Sequence, residues 1–434
     1  MKEVKIGILG LGTVGAGVWR LLRENGPIIE AKSGVRITVA KAADLRPERQ
    51  AELGIPGGVF TVSPAEVVDA PEISVVVELI GGVTAARELM LLALERGKHV
   101  VTANKALLAE HGEQIIGRAI AGRLELGFEG SVGGGIPIIK TIREALVGNR
   151  IDRLVGILNG TTNFILTKMT REGLGFDQAL RAAQELGFAE ADPTLDISGG
   201  DARHKITILS SFAFHTRVDM SRVYVEGIQE VQEQDLRYAQ ELGFVLKLLA
   251  IAERRDQGVL VRVHPTLVQR DNPLAAVSWE VNAVMVYSDY LGVSMYTGKG
   301  AGARPTASAV VSDITDIALK SLNCSEYNPF SYSFSQELAQ LPFSESRSRY
   351  YLRFDVMDRV GILSRIAGVL GEHNISIASV IQKEPRPGQD HVPLVMMTHT
   401  AREEDVQRAV GRIDGLPDVV GAPGSTIIRV LDED

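Results

Sequence analysis

The chain has 434 residues, of which 45% are hydrophobic and 23% charged, and its formal net charge is −8. This length exceeds what one hydrophobic core normally serves, so we expect two or three domains. The acidic balance argues against nucleic acid as a partner, because phosphate binding requires a basic surface. The one cysteine, Cys324, excludes an intrachain disulfide and suits the cytoplasm. No apolar run is long enough to span a membrane.

Residues 1–140 predict an α/β domain with a Rossmann-type, doubly wound parallel sheet. Apolar runs of strand length lie at 4–10, 36–43, 74–80 and 99–102, and helical patterns follow the first, third and fourth of them. Buried strands that alternate with helices form parallel sheets with both faces covered. The first helical pattern runs from Ala16 to about Glu24.

The first strand leads directly into the motif Gly10-Leu11-Gly12-Thr13-Val14-Gly15. Between a strand and a helix, these glycines permit a tight turn, close approach of a pyrophosphate to the backbone, and close packing of the helix. The helix N-terminus that follows favours phosphate groups. We therefore predict NAD or NADP as the cofactor; the alternative is a glycine-rich turn without a ligand.

Asp44 ends the second predicted strand, where a carboxylate can bind the ribose hydroxyls of the cofactor. It lies further along the chain than the usual spacing of about 20 residues, which we attribute to an insertion at 25–34. Arg46 could instead meet the 2′-phosphate of NADP. The choice between NAD and NADP stays open, and a simple surface acid is the alternative for Asp44.

Three further features lie in loops. Lys105 follows the fourth strand at the carboxyl edge of the sheet, where it can hold a carboxylate or assist proton transfer; a solvated lysine is the alternative. The glycine-rich loop 129–137 offers carbonyl groups and one carboxylate to a hard cation, although a domain hinge is the simpler explanation. The glycine-rich loop 296–302 can bind an anion through backbone N–H groups, or be a plain loop.

Residues 141–322 predict an α+β catalytic and dimerisation domain with a mixed sheet. Helical patterns and strand-like runs alternate at 153–158, 176–186, 201–214, 234–248, 258–265 and 283–287. A polar, serine-rich stretch at 323–348 predicts a linker.

The segment 187–205 gathers acids and a lysine between two helical patterns. Asp201 and Lys205 are four residues apart and share one face of a helix whose continuation, ITILSSFAF, is strongly apolar. A lysine buried beside acids can have its pKa tuned for acid–base work. The alternative is an ordinary salt bridge within the helix.

Residues 349–434 predict a small domain of ferredoxin-like βαββαβ order. Its predicted elements, strand, helix, two strands, helix and strand, lie at 350–356, 362–373, 375–382, 392–400, 404–414 and 425–430.

Six segments together resemble the homoserine dehydrogenase family: GLGTVG, TANKALLA, FEGSVGGGIPII, GILNGTTNFIL, LGFAEADPTLDISGGDARHK and YTGKGAGARPTASAVVSDI. The tail, with its turn DRVGIL, resembles an ACT domain, a module that binds amino acids. The resemblance spans nearly the whole chain. It implies NAD(P)-dependent interconversion of L-homoserine and L-aspartate 4-semialdehyde, in the biosynthesis of threonine, methionine and isoleucine.

The resemblance also implies roles for individual residues. Lys205 would transfer the proton, with Lys105 as a second lysine near nicotinamide and substrate. The implied substrate-binding residues are Glu190, Asp201, Asp196 and Thr161. The implied cofactor contacts beyond the glycine motif are Lys105, Gly187 and Gly302. A sodium site is implied at the carboxylate of Glu129 and the carbonyl groups of Val132, Gly134 and Ile136.

For the tail, the resemblance implies an amino-acid effector, with L-threonine as the expected ligand near Asp358, Gly361 and Asn374; the alternative is an oligomerisation module without a ligand. The expected assembly is a homodimer or homotetramer. Many members carry an arginine just before the acid that ends the second strand. Ala43 stands there in this chain, which weakens the expectation of a strict NADP preference.

Two other functions stay open at this point. One is a different nicotinamide-dependent oxidoreductase of a related amino or hydroxy acid. The other is a non-enzymatic dinucleotide sensor with an ACT domain. The acid–lysine cluster counts against the sensor, because a sensor needs no proton donor.

Overall fold

The computed structural model describes residues 2–322, 334, 336–383, 391–419 and 425–432. Cys324, part of the predicted linker (323–333 and 335) and most of the turn between the second and third strands of the tail (384–390) lie outside these residues. None of the helices in the described part of the chain combines the length and hydropathy needed to cross a bilayer.

The N-terminal region forms a six-stranded parallel sheet with helices between its strands. Its elements are β1 (Lys2–Leu9), α1 (Thr13–Ser33), β2 (Val35–Ala43), α2 (Glu48–Leu53), β3 (Phe60–Thr61), α3 (Pro64–Asp69), β4 (Val75–Glu78), α4 (Thr84–Glu95), β5 (His99–Thr102), α5 (Lys105–Gly122) and β6 (Leu126–Gly127). The strand order is β3-β2-β1-β4-β5-β6. This order confirms the predicted Rossmann-type sheet and puts the ligand crevice at the carboxyl ends of β1 and β4.

The predicted insertion is helical, and the predicted end of the first helix at about Glu24 is wrong. Residues 25–33 lengthen α1 to Ser33, with Pro27 inside the helix. The helix ends at Gly34, which adopts the left-handed conformation that glycine accepts at no steric cost. The extra helical turns therefore account for the long spacing to Asp44.

The middle region is α+β with a mixed sheet, as predicted. Its elements are α6 (Ile138–Lys140), β7 (Ile151–Ile157), α7 (Gly160–Glu172), α8 (Phe176–Glu185), α9 (Thr194–Ile197), α10 (Gly200–Ala213), β8 (Tyr224–Val225), α11 (Glu233–Glu241), β9 (Phe244–Arg255), β10 (Gly258–Gln269), α12 (Pro273–Ala276), β11 (Val281–Ser288), β12 (Gly292–Lys299) and α13 (Ala303–Leu322). Although it follows β12, α13 packs against α1, and its Val310 and Ile314 share a core cluster with Ile6 and Ile8.

The helix predicted at 234–248 is wrong beyond Glu241. Gly243, at φ +85°, ends it, and β9 begins at Phe244. The run FVLKLLAIA contains good helix formers, but all twelve residues of β9 pair with β10 in an antiparallel ladder. Tertiary pairing therefore overrides local propensity here.

The tail confirms the ferredoxin-like arrangement. Its elements are β13 (Arg347–Ser348), β14 (Tyr350–Met357), α14 (Ile362–Glu372), β15 (Ile377–Gln382), β16 (His391–Thr398), β17 (Ala401–Arg402), α15 (Glu403–Asp414) and β18 (Thr426–Val430). The main strands lie in the order β18-β14-β16-β15. β18 also pairs in parallel with β10, so the tail extends the sheet of the middle region.

Two buried arginines of the tail bind acids of the middle region. Arg353 on β14 contacts Asp235 on α11, with Nε 2.7 Å from Oδ1, and both side chains are fully buried. The hydroxyl of Tyr351 donates to the same oxygen at 2.8 Å. Arg429 on β18 binds Glu403 within the tail and Glu226 in the middle region. The tail is thus held to the middle region by buried charge pairs as well as by the shared sheet.

Candidate active site

The glycine motif has three distinct steric demands. Gly10 adopts φ +90°. A Cβ on Gly15 would lie 1.9 Å from the carbonyl oxygen of Gly10, so the helix can approach the strand only because no side chain is present. A Cβ on Gly12 would meet nothing within 4 Å, which leaves open space beside the backbone at the start of α1. The loop therefore fits a pyrophosphate in the way the motif requires.

Asp44 is tied to this loop. Its Oδ2 accepts a hydrogen bond from the backbone N–H of Leu11 at 2.8 Å, and both of its oxygens accept from the guanidinium of Arg46 at 3.0 and 3.1 Å. Burial raises the pKa of Asp44, but the hydrogen bonds from Arg46 and Leu11 outweigh it, and the net shift lowers the pKa. The acid is charged and adjacent to the cofactor loop, with Arg46 largely exposed beside it.

Arg49 is a residue of this site that sequence reasoning missed. Its Nε donates to the carbonyl oxygen of Leu11 at 2.9 Å, so this arginine contacts the loop directly. The two arginines that follow β2, Arg46 and Arg49, were the only hint in the sequence. The contact itself depends on the position of α2 relative to the glycine motif.

One carboxylate joins the two predicted catalytic lysines. Lys205 Nζ lies 2.7 Å from Asp201 Oδ2, and Lys105 Nζ lies 2.7 Å from Asp201 Oδ1. Lys205 also donates to the carbonyl oxygen of Leu158 at 2.6 Å. Lys105 begins α5 directly after β5, at the carboxyl edge of the parallel sheet, whereas the other two residues lie on the first turns of α10. The cluster therefore forms where the two domains meet.

Burial and charge shift these groups in different directions. Burial lowers the pKa of Lys205, and the neighbouring charge of Asp201 only partly compensates. Burial also acts to lower the pKa of Lys105, but Asp201, Asp196 and Glu190 outweigh it and leave the pKa raised. Burial acts to raise the pKa of Asp201, but the two lysines hold it well below its usual range. Lys205 is therefore the lysine that loses its proton more easily.

Asn159 organises the acids and was not predicted as a site residue. Its Nδ2 donates to Asp196 Oδ1 at 2.7 Å and to Asp201 Oδ2 at 2.9 Å. Its Oδ1 accepts from the N–H of Thr162 and so caps α7. Burial and the nearby charge of Asp201 raise the pKa of Asp196 despite the hydrogen bond from Asn159. Asn159 lies in the segment GILNGTTNFIL, where only its capping role could be inferred.

The other predicted substrate-site residues surround this centre. The Thr161 hydroxyl donates to the carbonyl oxygen of Phe188 at 2.7 Å and so fixes the loop after α8. Gly187, at φ +75°, and Glu190 are exposed on that loop. The charge of Glu190 contributes to the raised pKa of Lys105, so the two side chains share one electrostatic environment. The structure thus brings together two lysines and three acids at the domain junction.

Comparison with known proteins identifies the architecture. A family model described as "Homoserine dehydrogenase" matches residues 137–315, and one described as "Homoserine dehydrogenase, NAD binding domain" matches residues 10–129. An ACT domain model matches residues 350–418. The chain is 45% identical to the homoserine dehydrogenase of Neisseria gonorrhoeae, over 99% of each chain. The chain belongs to the homoserine dehydrogenase family.

Solved structures agree with this assignment. A homoserine dehydrogenase from Thiobacillus denitrificans is 43% identical, with a TM-score of 0.94 over 100% of this chain and 99% of that one. A hyperthermophilic archaeal homoserine dehydrogenase solved with NADPH is 31% identical, with a TM-score of 0.63 over 73% of this chain and 98% of that one. The chain is therefore an NAD(P)-dependent oxidoreductase of homoserine and aspartate semialdehyde with an ACT domain, and neither alternative function is favoured.

The two further glycine-rich loops contact each other. The N–H of Gly135 donates to the carbonyl oxygen of Lys299 at 2.9 Å, and a Cβ on Gly134 would lie 2.6 Å from the carbonyl oxygen of Gly300. Gly302 follows, at φ +119°, immediately before α13. The loops thus link the middle region to the helix that packs on the cofactor domain.

Glu129 is buried at the start of the first of these loops. Its oxygens accept the backbone N–H groups of Ile139 and Lys140 at 2.9 and 2.8 Å. Burial and the charge of Asp313 raise its pKa to about 7. Among the described residues, no group of three or more His, Cys, Asp or Glu side chains is arranged to hold a metal. The predicted cation site at Glu129, Val132, Gly134 and Ile136 would rest mainly on carbonyl groups and stays a prediction.

The predicted effector residues lie apart from this cluster, on the ACT domain. Asp358 follows β14, Gly361 precedes α14, and Asn374 follows that helix. All three are exposed, and Gly361 and Asn374 have positive φ angles of +91° and +58°. Their role in effector binding stays a prediction.

Proposed function

We propose that Lys205 is the group that moves the proton in homoserine oxidation. The supporting observation is that Asp201 bridges Lys205 and Lys105 at the domain junction. The bound nicotinamide supplies the hydride acceptor. Lys205 takes the proton of the substrate hydroxyl, and in the reverse reaction it returns that proton. Because burial lowers its pKa, Lys205 can act as a base at a pH where an exposed lysine would stay charged.

The acids around Lys205 give it a fixed position and give the substrate a binding site. Asp201 holds both lysine ammonium groups and is itself oriented by Asn159. Glu190 and Asp201 bind the ammonium group of homoserine, and Asp196 completes the acidic wall. Lys105, whose raised pKa keeps it charged, is suited to bind the substrate carboxylate. Thr161 contributes by holding the loop that carries Glu190.

The glycine motif, with Asp44, Arg46, Gly187 and Gly302, would hold the cofactor. Asp44 suits the ribose hydroxyls of NAD, while the largely exposed guanidinium of Arg46 can turn toward a 2′-phosphate. The archaeal relative was solved with NADPH. We propose that this chain accepts both cofactors and that Arg46 decides the preference.

Regulation and assembly are further parts of the proposal. L-threonine would bind the ACT domain near Asp358, Gly361 and Asn374, between ACT domains of two chains in a homodimer or homotetramer. A sodium ion would bind the Glu129 carboxylate and the carbonyl groups of Val132, Gly134 and Ile136.

The enzyme would work in the cytoplasm, in the biosynthesis of threonine, methionine and isoleucine.

One assay tests these points together. Homoserine oxidation by the full chain is followed through the absorbance of the reduced cofactor, with NAD or NADP, with and without L-threonine, and in sodium or potassium salts. We expect turnover with both cofactors, inhibition by L-threonine and a higher rate in sodium. No turnover with either cofactor would contradict the catalytic assignment. Turnover that does not change over a wide range of L-threonine concentrations would contradict only the proposal that L-threonine is the effector.

A further inference from the structure

A cavity of about 620 Å³ lies at the junction of the middle region and the ACT domain, apart from the active-site cluster. Its walls come from β9 and β10 on one side, and from residues 347–349 and 430–432 on the other. The parallel pairing of β10 with β18 runs along it. Any molecule bound there would contact both domains.

Arginines dominate the lining of this cavity. Six of them face it: Arg153, Arg254, Arg255, Arg262, Arg347 and Arg349. Three acids, Asp152, Glu253 and Asp432, offset only half of this charge. A cavity with low-dielectric walls and an excess of one sign concentrates ions of the opposite sign.

The principal acid of the cavity is already shared among arginines. Glu253 lies 2.7 Å from Arg262 and 2.8 Å from Arg255, and these arginines hold its pKa well below its usual range despite burial. Asp432 contacts Arg349 at 3.2 Å. Among the described residues, the lining of the cavity thus holds more guanidinium groups than carboxylates.

Two deeply buried side chains of β10 retain unused hydrogen-bonding capacity. Arg262 is only 3% exposed, and within the described part of the chain its Nε and Nη1 find no hydrogen-bond partner. The same is true of Nε2 of His264, which is 1% exposed. Buried polar groups without partners are costly, so natural proteins normally satisfy them with protein, water or a ligand.

We propose that this cavity is a binding site for a small multivalent anion that carries phosphate or carboxylate groups. Guanidinium groups bind both kinds of oxyanion through paired hydrogen bonds. The anion would bridge β9 and β10 of the catalytic sheet to the strand β18 and residues 347–349, and so would strengthen the docking of the ACT domain. This site is separate from the amino-acid effector site and does not depend on it.

The test is calorimetric titration of the full chain, saturated with NADP so that the cofactor loop is occupied, with inorganic pyrophosphate and with citrate, each at constant ionic strength set with sodium chloride. We expect saturable binding of one anion per chain. Binding of pyrophosphate alone would assign the site to phosphate groups, and binding of citrate alone would assign it to carboxylates. No saturable binding of either probe would overturn the proposal.

The double variant Arg254→Gln/Arg347→Gln removes two lining cations, and we expect it to weaken binding by at least about tenfold, since hydrogen bonds to charged groups are the strong ones. The matched control is Arg96→Gln/Arg118→Gln, which removes two exposed arginines that pair with Asp69 and Glu95 elsewhere. Equal loss in both variants would mean general charge attraction and would overturn the proposal. Homoserine oxidation without added anion should be unchanged in both.

Discussion

Two buried ion pairs in this enzyme use different cations. At the domain junction Asp201 binds lysines, one buried and one partly exposed. Under the ACT domain Asp235 binds Arg353 and the hydroxyl of Tyr351, and both members of the ion pair are inaccessible to solvent. Lysine can lose its proton when burial lowers its pKa, whereas arginine stays charged. Lysine thus occupies the cluster where a proton is transferred, and arginine occupies the pair where a permanent charge holds the ACT domain in place.

The first pair should matter for rate. Lys205→Ala removes the proposed base, so turnover in homoserine oxidation should fall by about 10²–10⁴-fold, with cofactor affinity nearly unchanged. Initial rates and a fluorescence titration with reduced cofactor measure the two effects.

The control is Lys168→Ala. Lys168 forms a pair with Glu172 at the same spacing of four residues, but near the surface. Its removal should leave turnover near that of the unaltered enzyme. Near-normal turnover of Lys205→Ala would remove Lys205 from the proposed role.

The second pair should matter for stability. Asp235→Ala removes the buried carboxylate that binds Arg353 Nε and leaves the partly exposed Asp355 as the remaining acid partner, which should lower the free energy of unfolding by about 3 kcal/mol. Urea denaturation measures the change. Glu233→Ala on the same helix is the control, because Glu233 pairs with Arg237 at the surface, and its loss should cost less than about 1 kcal/mol. Equal effects would show that the buried pair does not stabilise docking.

Within the residues described above, a third buried cation, Lys247, has no carboxylate among its hydrogen-bond partners, so it shows the effect of burial on a lysine pKa without an acid partner. Its Nζ donates to neutral oxygens, Asn163 Oδ1 and the carbonyl of Val277, and burial lowers its pKa to about 8. Between pH 8 and 10.5 the unfolded chain would bind this proton more tightly than the folded chain. The free energy of unfolding should therefore rise with pH in this window, by up to about 3 kcal/mol.

Lys247→Met should reduce that rise by the contribution of Lys247, as measured by denaturation at several pH values, while the lowered pKa of Lys205 keeps the remainder. Lys168→Met, at a partly buried position where the lysine pairs with Glu172, should retain it. An unchanged pH dependence in Lys247→Met would mean that Lys247 keeps an ordinary pKa in the folded chain.

The charge of Asp201 should set the pH at which Lys205 acts. Asp201 raises the pKa of Lys205 against the effect of burial. Asp201→Asn should therefore move the ascending limb of the pH–rate profile for homoserine oxidation, where Lys205 loses its proton, to lower pH, in addition to reducing turnover. If this limb lies at the same pH in the variant, the pH dependence of the rate arises from a group other than Lys205.

The smallest expected effect concerns the cofactor. Arg46→Ala should weaken NADPH binding by about tenfold, because a charge-assisted contact to the 2′-phosphate is lost, and should affect NADH less. Arg36→Ala, which removes a surface partner of Glu30 in the same domain, is the control. Equal losses for the two cofactors would remove Arg46 from cofactor selection.

The parts of this enzyme that local sequence determines were predictable. The glycine motif and the alternating strands gave the first sheet, and the spacing of Asp201 and Lys205 gave their pairing. The resemblance implied that Lys105 and Asp201 both lie near the substrate, but their direct contact was not predicted, because the two residues come from different domains. Asn159 was missed because a cap and a site residue look alike in sequence. β9 was missed because its pairing with β10 is a tertiary effect.

The shared sheet limits how the ACT domain can be removed. Ile428 and Val430 of β18, with Tyr351 and Met397, lie in the same apolar cluster as Val261 and Leu267 of β10. Cutting the chain before β13 would uncover that apolar surface, open the edge of β10 at Thr266 and remove the Arg353 partner of Asp235. A shortened enzyme would therefore tend to self-associate unless its newly uncovered flank were redesigned with polar side chains.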